Sequence, residues 1–304
     1  MVSKRLSDKE RGKFFEQGFI GPFKVYEEDE AKEILRQIRI KTSDYSNILH
    51  KNTLNYDRHF DVQEMSDHIC HPEILGRLNS IMGDDINLWR TEIFQKLPGS
   101  KGTEWHQVQD YSYATGKPQL KPTNKEPGIP FDLTVWTTFT ESVPVNGCLK
   151  LMPGSHNKLF FDESKEVSVG RNELYSAVGS NTSFYGYNFS EFKVDPDWVP
   201  DESKAAVMDM RPGECVIFSA RCMHGSFPNT SERSIRYALA CRYVQGHVKV
   251  YPDTEKFRAH GVDFDLKDWG CVKVSGKDTY GHNKFRDKNN LGIPFKTRQH
   301  LAGQ

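Results

Sequence analysis

The sequence predicts a mainly β fold with helical cover, its strands closing into a sandwich or barrel. Three observations carry this reading. Amphipathic helical patterns are confined to the region before residue 86. Short apolar runs of strand character follow. Gly, Pro and Asn pairs separate those runs.

The elements can be justified in order. Ser7 followed by Glu10 is a capping-box signature, so a helix starts there. Phe14, Phe15 and Phe19 lie along it, and Gly18 and Gly21 bracket its end. A second helix begins near Glu27 and carries Ala31, Ile34, Leu35 and Ile38 on one face. A third runs from His71 to Met82, with Pro72 in its first turn and Gly83 after its end. Strand character then appears at Ile86–Phe94, Phe131–Phe139, Cys148–Met152, Glu214–Phe218 and Ile235–Val244. The turn pairs are Pro98-Gly99, Pro127-Gly128, Asn146-Gly147, Pro153-Gly154 and Pro212-Gly213. The polar stretch 157–205 is too long for a plain connection and reads as an insertion or lid. The tail, 251–304, is polar and without clear periodicity. The expected organisation is one domain, 1–304, with a helical N-terminal region over 1–85, a β core over 86–250 and a C-terminal extension.

Composition narrows the function. The 304 residues are 37% hydrophobic and 27% charged, as in globular proteins. Lys plus Arg and Asp plus Glu are both 41, so the formal net charge is zero. A general nucleic-acid or membrane-surface role would require a basic excess, and neither partner is expected. The first twelve residues lack the apolar core of a secretory signal, and no apolar run is long enough to span a bilayer. Six cysteines without a CxxC pair then read as buried free thiols of a cytoplasmic protein.

Two histidines stand out. His106 and His224 each adjoin a strand-like run, and a barrel brings such distant residues together; alone, each would more often be a hydrogen-bonded structural histidine. Arg236 and Arg242 follow on the next strand-like run. Their even spacing puts them on one face, where a planar guanidinium suits a carboxylate.

With these residues the chain resembles the phytanoyl-CoA dioxygenase family of Fe(II)/2-oxoglutarate oxygenases, and within it the chlorinating enzymes that modify aminoacyl groups on carrier proteins. The matching stretches are His106-Gln107, Gly116-Lys117-Pro118-Gln119, Thr134-Val135-Trp136-Thr137, Asn146-Gly147-Cys148, Pro153-Gly154-Ser155-His156, Met223-His224 and Arg242-Tyr243-Val244. The resemblance runs from about residue 8 to 255 and is strongest over 86–250. It implies a double-stranded β-helix core of the cupin or jelly-roll kind. It implies Fe(II), 2-oxoglutarate and O₂ as cofactors, with His106 and His224 as iron ligands. Arg236 would pair with the distal carboxylate of 2-oxoglutarate, helped by Thr103 and Trp136. Arg242 and Thr134 would belong to the polar network beside the metal.

The sequence departs from the family at the third ligand. Oxygenating members read His-x-Asp and complete a facial triad. Chlorinating members carry Ala or Gly there and leave room for chloride. This chain has Val108, which offers no donor atom and has little χ1 freedom. Asp110 shares strand parity with His106 and could replace the missing carboxylate through a local bulge, or be a turn carboxylate. Tyr111 and Tyr113 replace a usual Phe and Asn. The expectation is oxidation of an unactivated C–H bond, by hydroxylation or a related outcome, in an amino-acid-type substrate of secondary metabolism on a peptidyl carrier protein. The alternatives are halogenation with chloride on iron, and a non-catalytic cupin-like binding protein. In the resembling enzymes an aromatic stretch borders substrate entry, as Phe184–Phe189 would here; anchoring of a long loop is the plainer reading.

Overall fold

The computed structural model describes residues 4–43, 56–124, 128–168, 189–259 and 262–297. Four α-helices precede the strands, apart from one: α1 (Asp8–Gln17), α2 (Glu28–Thr42), α3 (Gln63–Ile69) and α4 (Pro72–Met82), with β1 (Phe19–Lys24) between the first two. The strands that follow are β2 (Ile86–Lys96), β3 (Thr103–His106), β4 (Leu120–Pro122), β5 (Asp132–Thr138), β6 (Leu149–Leu151), β7 (Ala206–Val207), β8 (Glu214–Ser219), β9 (His224–Ser226) and β10 (Arg236–Gln245). The tail adds β11 (Val248–Val250), β12 (Lys256–Ala259), β13 (Val262–Asp265) and β14 (Val272–Ser275). Strand outweighs helix, and every sheet is antiparallel.

The helix ends follow local chemistry. The Glu10 amide donates to Ser7 Oγ at 3.3 Å, and the Ser7 amide donates back to Glu10 Oε2 at 2.8 Å. Gly18, at φ 85°, stops α1 with its amide on the Phe14 carbonyl. Gly21 lies inside β1 rather than at a helix end. α4 begins with Pro72 and is capped by the His71 imidazole, which accepts from the Glu73 amide.

A six-stranded sheet has the order β1-β8-β5-β10-β2-β14, and a four-stranded sheet the order β3-β9-β6-β7. The large sheet carries a separate apolar cluster on each face. Val135, Cys215, Ile217, Leu239 and Cys241 join the cluster that includes α3 and α4. Trp136, Val216, Phe218, Ala238 and Ala240 join Leu149 and Leu151 of the small sheet. This alternation is the period of a β-strand with both faces covered. On the helical side, the Tyr243 hydroxyl donates to the Ile69 carbonyl at 2.9 Å.

Several elements depart from expectation. The short α3 carries too few apolar positions, chiefly Met65 and Ile69, to show a helical period. The tail is not structureless: β12 and β13 pair, and β14 adds to the edge of β2. Tail residues also pin the helices, with Asn289 Nδ2 donating to Ser66 Oγ and Trp269 Nε1 to Asp57 Oδ2. Within 157–205, the described residues include a bridge between Phe161 and Lys193. All six cysteines are buried and unpaired. Among the described residues no helix is long and apolar enough to cross a membrane.

Candidate metal and anion site

The two histidines meet because β3 ends where β9 begins. His106 and His224 are direct cross-strand partners, with ring centroids 4.1 Å apart and planes at 52°. Gly225 permits this approach, since a Cβ there would stand 2.8 Å from the Thr103 carbonyl oxygen. Each imidazole is turned by a backbone carbonyl: His106 Nδ1 lies 2.8 Å from the Glu104 oxygen, and His224 Nδ1 2.8 Å from the Cys222 oxygen. A carbonyl only accepts, so both Nδ1 atoms carry hydrogen and the lone pair of each ring sits on Nε2. Burial pushes His106 down to about 4 and His224 well below the usual imidazole range. The rings are therefore neutral at pH 7, the form that binds a metal.

Eight of the nine residues singled out from sequence line one cavity of about 60 Å³ between the two sheets. Thr103, His106, Val108 and His224 come from the small-sheet side, and Thr134, Trp136, Arg236 and Arg242 from the large sheet. Val108 follows β3, donates its amide to the Ala220 carbonyl and lines the cavity.

Asp110 is the exception and corrects the ligand expectation. Strand parity does not extend to it, because β3 stops at His106 and Tyr111 takes a left-handed φ of 63°. Its carboxylate accepts from the Ser112 amide, its own amide donates to Glu163 Oε2, and it faces a different cleft. Among the described residues, no three His, Cys, Asp or Glu side chains come together as a metal site.

One end of the cavity is built around Arg242. Its Nη2 pairs with Glu92 Oε2 at 2.6 Å, and Nη1 donates to the Tyr111 hydroxyl at 3.1 Å and approaches Thr134 Oγ1 at 3.5 Å. The other end is built around Arg236. This guanidinium is 1% exposed, and its Nε and Nη2 have no protein acceptor among the described residues. It stacks over Trp136 with Cζ 5.1 Å from the ring centroid. Burial lowers it to about 10, so it stays charged at neutral pH. A buried cation with orphaned donors calls for an anion. Two neutral imidazoles with an arginine anchor thus fit a metal chelated by a dicarboxylate, such as iron with 2-oxoglutarate.

Sequence reasoning missed Glu92, Lys96 and Ser226. Glu92 and Lys96 lie four apart on β2, with Phe94 between them also lining the cavity. Charged residues repeating at period two inside an apolar strand were the available signal. The stretch 184–188 lies outside the described residues. Phe189 is described, and its ring stacks on His106 with centroids 4.5 Å apart and planes at 4°.

Asp132, at the start of β5, is a further buried carboxyl beside Tyr111 and Arg242. Burial raises it to about 7, against the pull of Arg242. A raised folded-state pKa favours the fold below the unfolded value, and that contribution is lost as pH climbs from about 4 through about 7. Asp132→Asn should therefore raise the melting temperature at pH 8 by several degrees, with the gain shrinking towards pH 4. Thermal melts across that range check it, and a gain constant with pH contradicts it.

The family model for phytanoyl-CoA dioxygenase matches residues 14–238. The peroxisomal phytanoyl-CoA dioxygenase of Bos taurus is 25% identical over 256 residues, 81% of this chain and 66% of that protein. The chain thus spans slightly less than two thirds of that relative. A 2-aminoethylphosphonate dioxygenase from an uncultured bacterium, HF130_AEPn_1, is 25% identical over 75% of this chain and 70% of its own length. Among solved structures, CytC3 with Fe(II) and alpha-ketoglutarate superposes with a TM-score of 0.74 at 34% identity, covering 97% of both chains. The chain belongs to the phytanoyl-CoA dioxygenase family, among the oxidoreductases that depend on Fe(II) and 2-oxoglutarate.

Proposed function

We propose that this family member is an Fe(II)/2-oxoglutarate-dependent halogenating enzyme with a double-stranded β-helix core. Its substrate would be an amino-acid-type molecule presented on a peptidyl carrier protein, and its target an unactivated C–H bond. The observation that carries the reading is Val108. It occupies the third-ligand position and lines the same cavity as His106 and His224, while no carboxylate joins that pair among the described residues.

Charge balance supports a halide. A facial triad contributes one negative charge to the ferrous ion. Here the protein contributes none, and Arg242 with its partner Glu92 is neutral overall. A buried dication held by neutral ligands is stabilised by an exogenous anion, and chloride satisfies this beside 2-oxoglutarate.

The residues divide the work. His106 and His224 would hold the metal through Nε2. Arg236, with Trp136 and Thr103, would anchor the distal carboxylate and so fix the chelating end. Arg242, Glu92 and Thr134 form the polar wall on the metal side. Phe189 covers one face of His106 and limits water there. When bound, iron and 2-oxoglutarate supply the O₂-dependent oxidising power that opens a C–H bond.

Val108 also motivates a second reading. Its two γ-carbons fill much of the room a halide would need, which favours hydroxylation with water or hydroxide in place of chloride. Anaerobic titration of the Fe(II) protein with 2-oxoglutarate, followed by the metal-to-ligand charge-transfer band, separates the two. Halogenation predicts that chloride tightens 2-oxoglutarate binding severalfold and that halogenated product forms. Unchanged affinity together with hydroxylated product overturns it.

A further inference from the structure

Lys96 is fully buried at the end of β2, directly across from Arg236. Two cations side by side in a core require a reason. The fold makes room for this one: a Cβ on Gly147 would come within 2.3 Å of Lys96 Cδ. Lys96 Nζ donates to the Lys101 carbonyl at 2.9 Å, the Phe227 carbonyl at 2.7 Å and Ser226 Oγ at 2.8 Å. Three acceptors use all three hydrogens of an ammonium.

The consequence falls on Ser226. Its hydroxyl has two lone pairs and one hydrogen. Lys96 Nζ donates to it, and so does the Thr103 amide at 3.1 Å. Both lone pairs are engaged, so the single hydrogen goes to the remaining neighbour, Thr103 Oγ1, at 3.0 Å. Thr103 then accepts from Ser226 and must send its own hydroxyl hydrogen elsewhere. Thr103 lines the cavity with Arg236, so that hydrogen is available to an anion bound at Arg236.

We propose that Lys96 is a positioning residue of the anion site: through Ser226 it fixes the direction of the Thr103 hydroxyl, so that the pocket offers only donors to the distal carboxylate of 2-oxoglutarate. Without Lys96, Ser226 can turn and accept from Thr103, which then presents a lone pair to the carboxylate. The inference rests on the reading of Arg236 as the carboxylate anchor.

The test compares two ligands with the same chelating end, 2-oxoglutarate and 2-oxopentanoate, the latter lacking the distal carboxylate. Binding to the anaerobic Fe(II) protein is read from the charge-transfer band at mildly acidic pH, where Lys96 is protonated. In Lys96→Met the dissociation constant for 2-oxoglutarate should rise about tenfold, the worth of one hydrogen bond to a charged group, and adding Ser226→Ala to that variant should recover most of the loss, because no hydroxyl is left to draw the Thr103 hydrogen away. The constant for 2-oxopentanoate should stay within about twofold, whereas a general loss of structure would weaken both ligands alike. Thr103→Val keeps Lys96, should by itself cost about tenfold for 2-oxoglutarate and little for 2-oxopentanoate, and remains informative if Lys96→Met does not fold. Equal losses for both ligands, no recovery in the double variant, or wild-type affinity in Thr103→Val overturn the proposal. If the wild-type protein itself does not prefer 2-oxoglutarate, the reading of Arg236 fails instead.

Discussion

Replacing His224 by alanine should weaken Fe(II) binding by at least about 100-fold and remove the charge-transfer band with 2-oxoglutarate. The size of the effect comes from the small donor set. In a facial triad, losing one histidine leaves two protein ligands. Here it leaves one, because position 108 is valine and Asp110 faces another cleft. The fold should survive, since the His224 ring borders a cavity and its backbone pairing with β3 and β6 does not need the side chain. Far-ultraviolet circular dichroism close to wild type would confirm that. Asp110→Asn serves as the control and should leave iron binding unchanged. Full metal loading of His224→Ala, or loss of iron from Asp110→Asn, would remove the basis for the assigned site.

Part of this site was legible because strands impose a period of two. Arg236 and Arg242 stand at even spacing on β10 and both reach the cavity, whereas Thr134 and Trp136 on β5 came from the family resemblance. Regular strands made that inference safe. Asp110 shows where it fails, because parity holds only while the chain stays extended, and β3 ends at His106. Lys96 and Ser226 were hidden for another reason. Lys96's even spacing from Glu92 was a hint, but a lysine between strand and turn usually faces water, and the cross-strand register with Arg236 and the groove at Gly147 are what reveal it as internal. The helix α3 and strand β14 were invisible because short elements owe their stability to docking rather than to local pattern. β14 forms on the edge of β2, which no property of its four residues announces.

Val108→Asp should convert the site in a way that no other single change does. The aspartate would stand in the wall of the cavity that Val108 and His106 now line. It would add the missing donor and the missing negative charge, so Fe(II) should bind more tightly and chloride should no longer influence 2-oxoglutarate affinity. Product should move wholly to hydroxylation, because the anion position is filled from the protein. Val108→Gly probes the same space in the opposite direction. Removing a stiff β-branched side chain opens the position without supplying charge, so the chloride effect should grow and the halogenated fraction should rise. The two variants together separate room from charge. If crowding by valine sets the outcome, glycine alone changes the product ratio. If the absent charge sets it, aspartate abolishes the chloride effect while glycine leaves it at the wild-type level. A chloride response that persists undiminished in Val108→Asp would mean that the halide binds away from position 108, and the halogenation reading would lose its structural support.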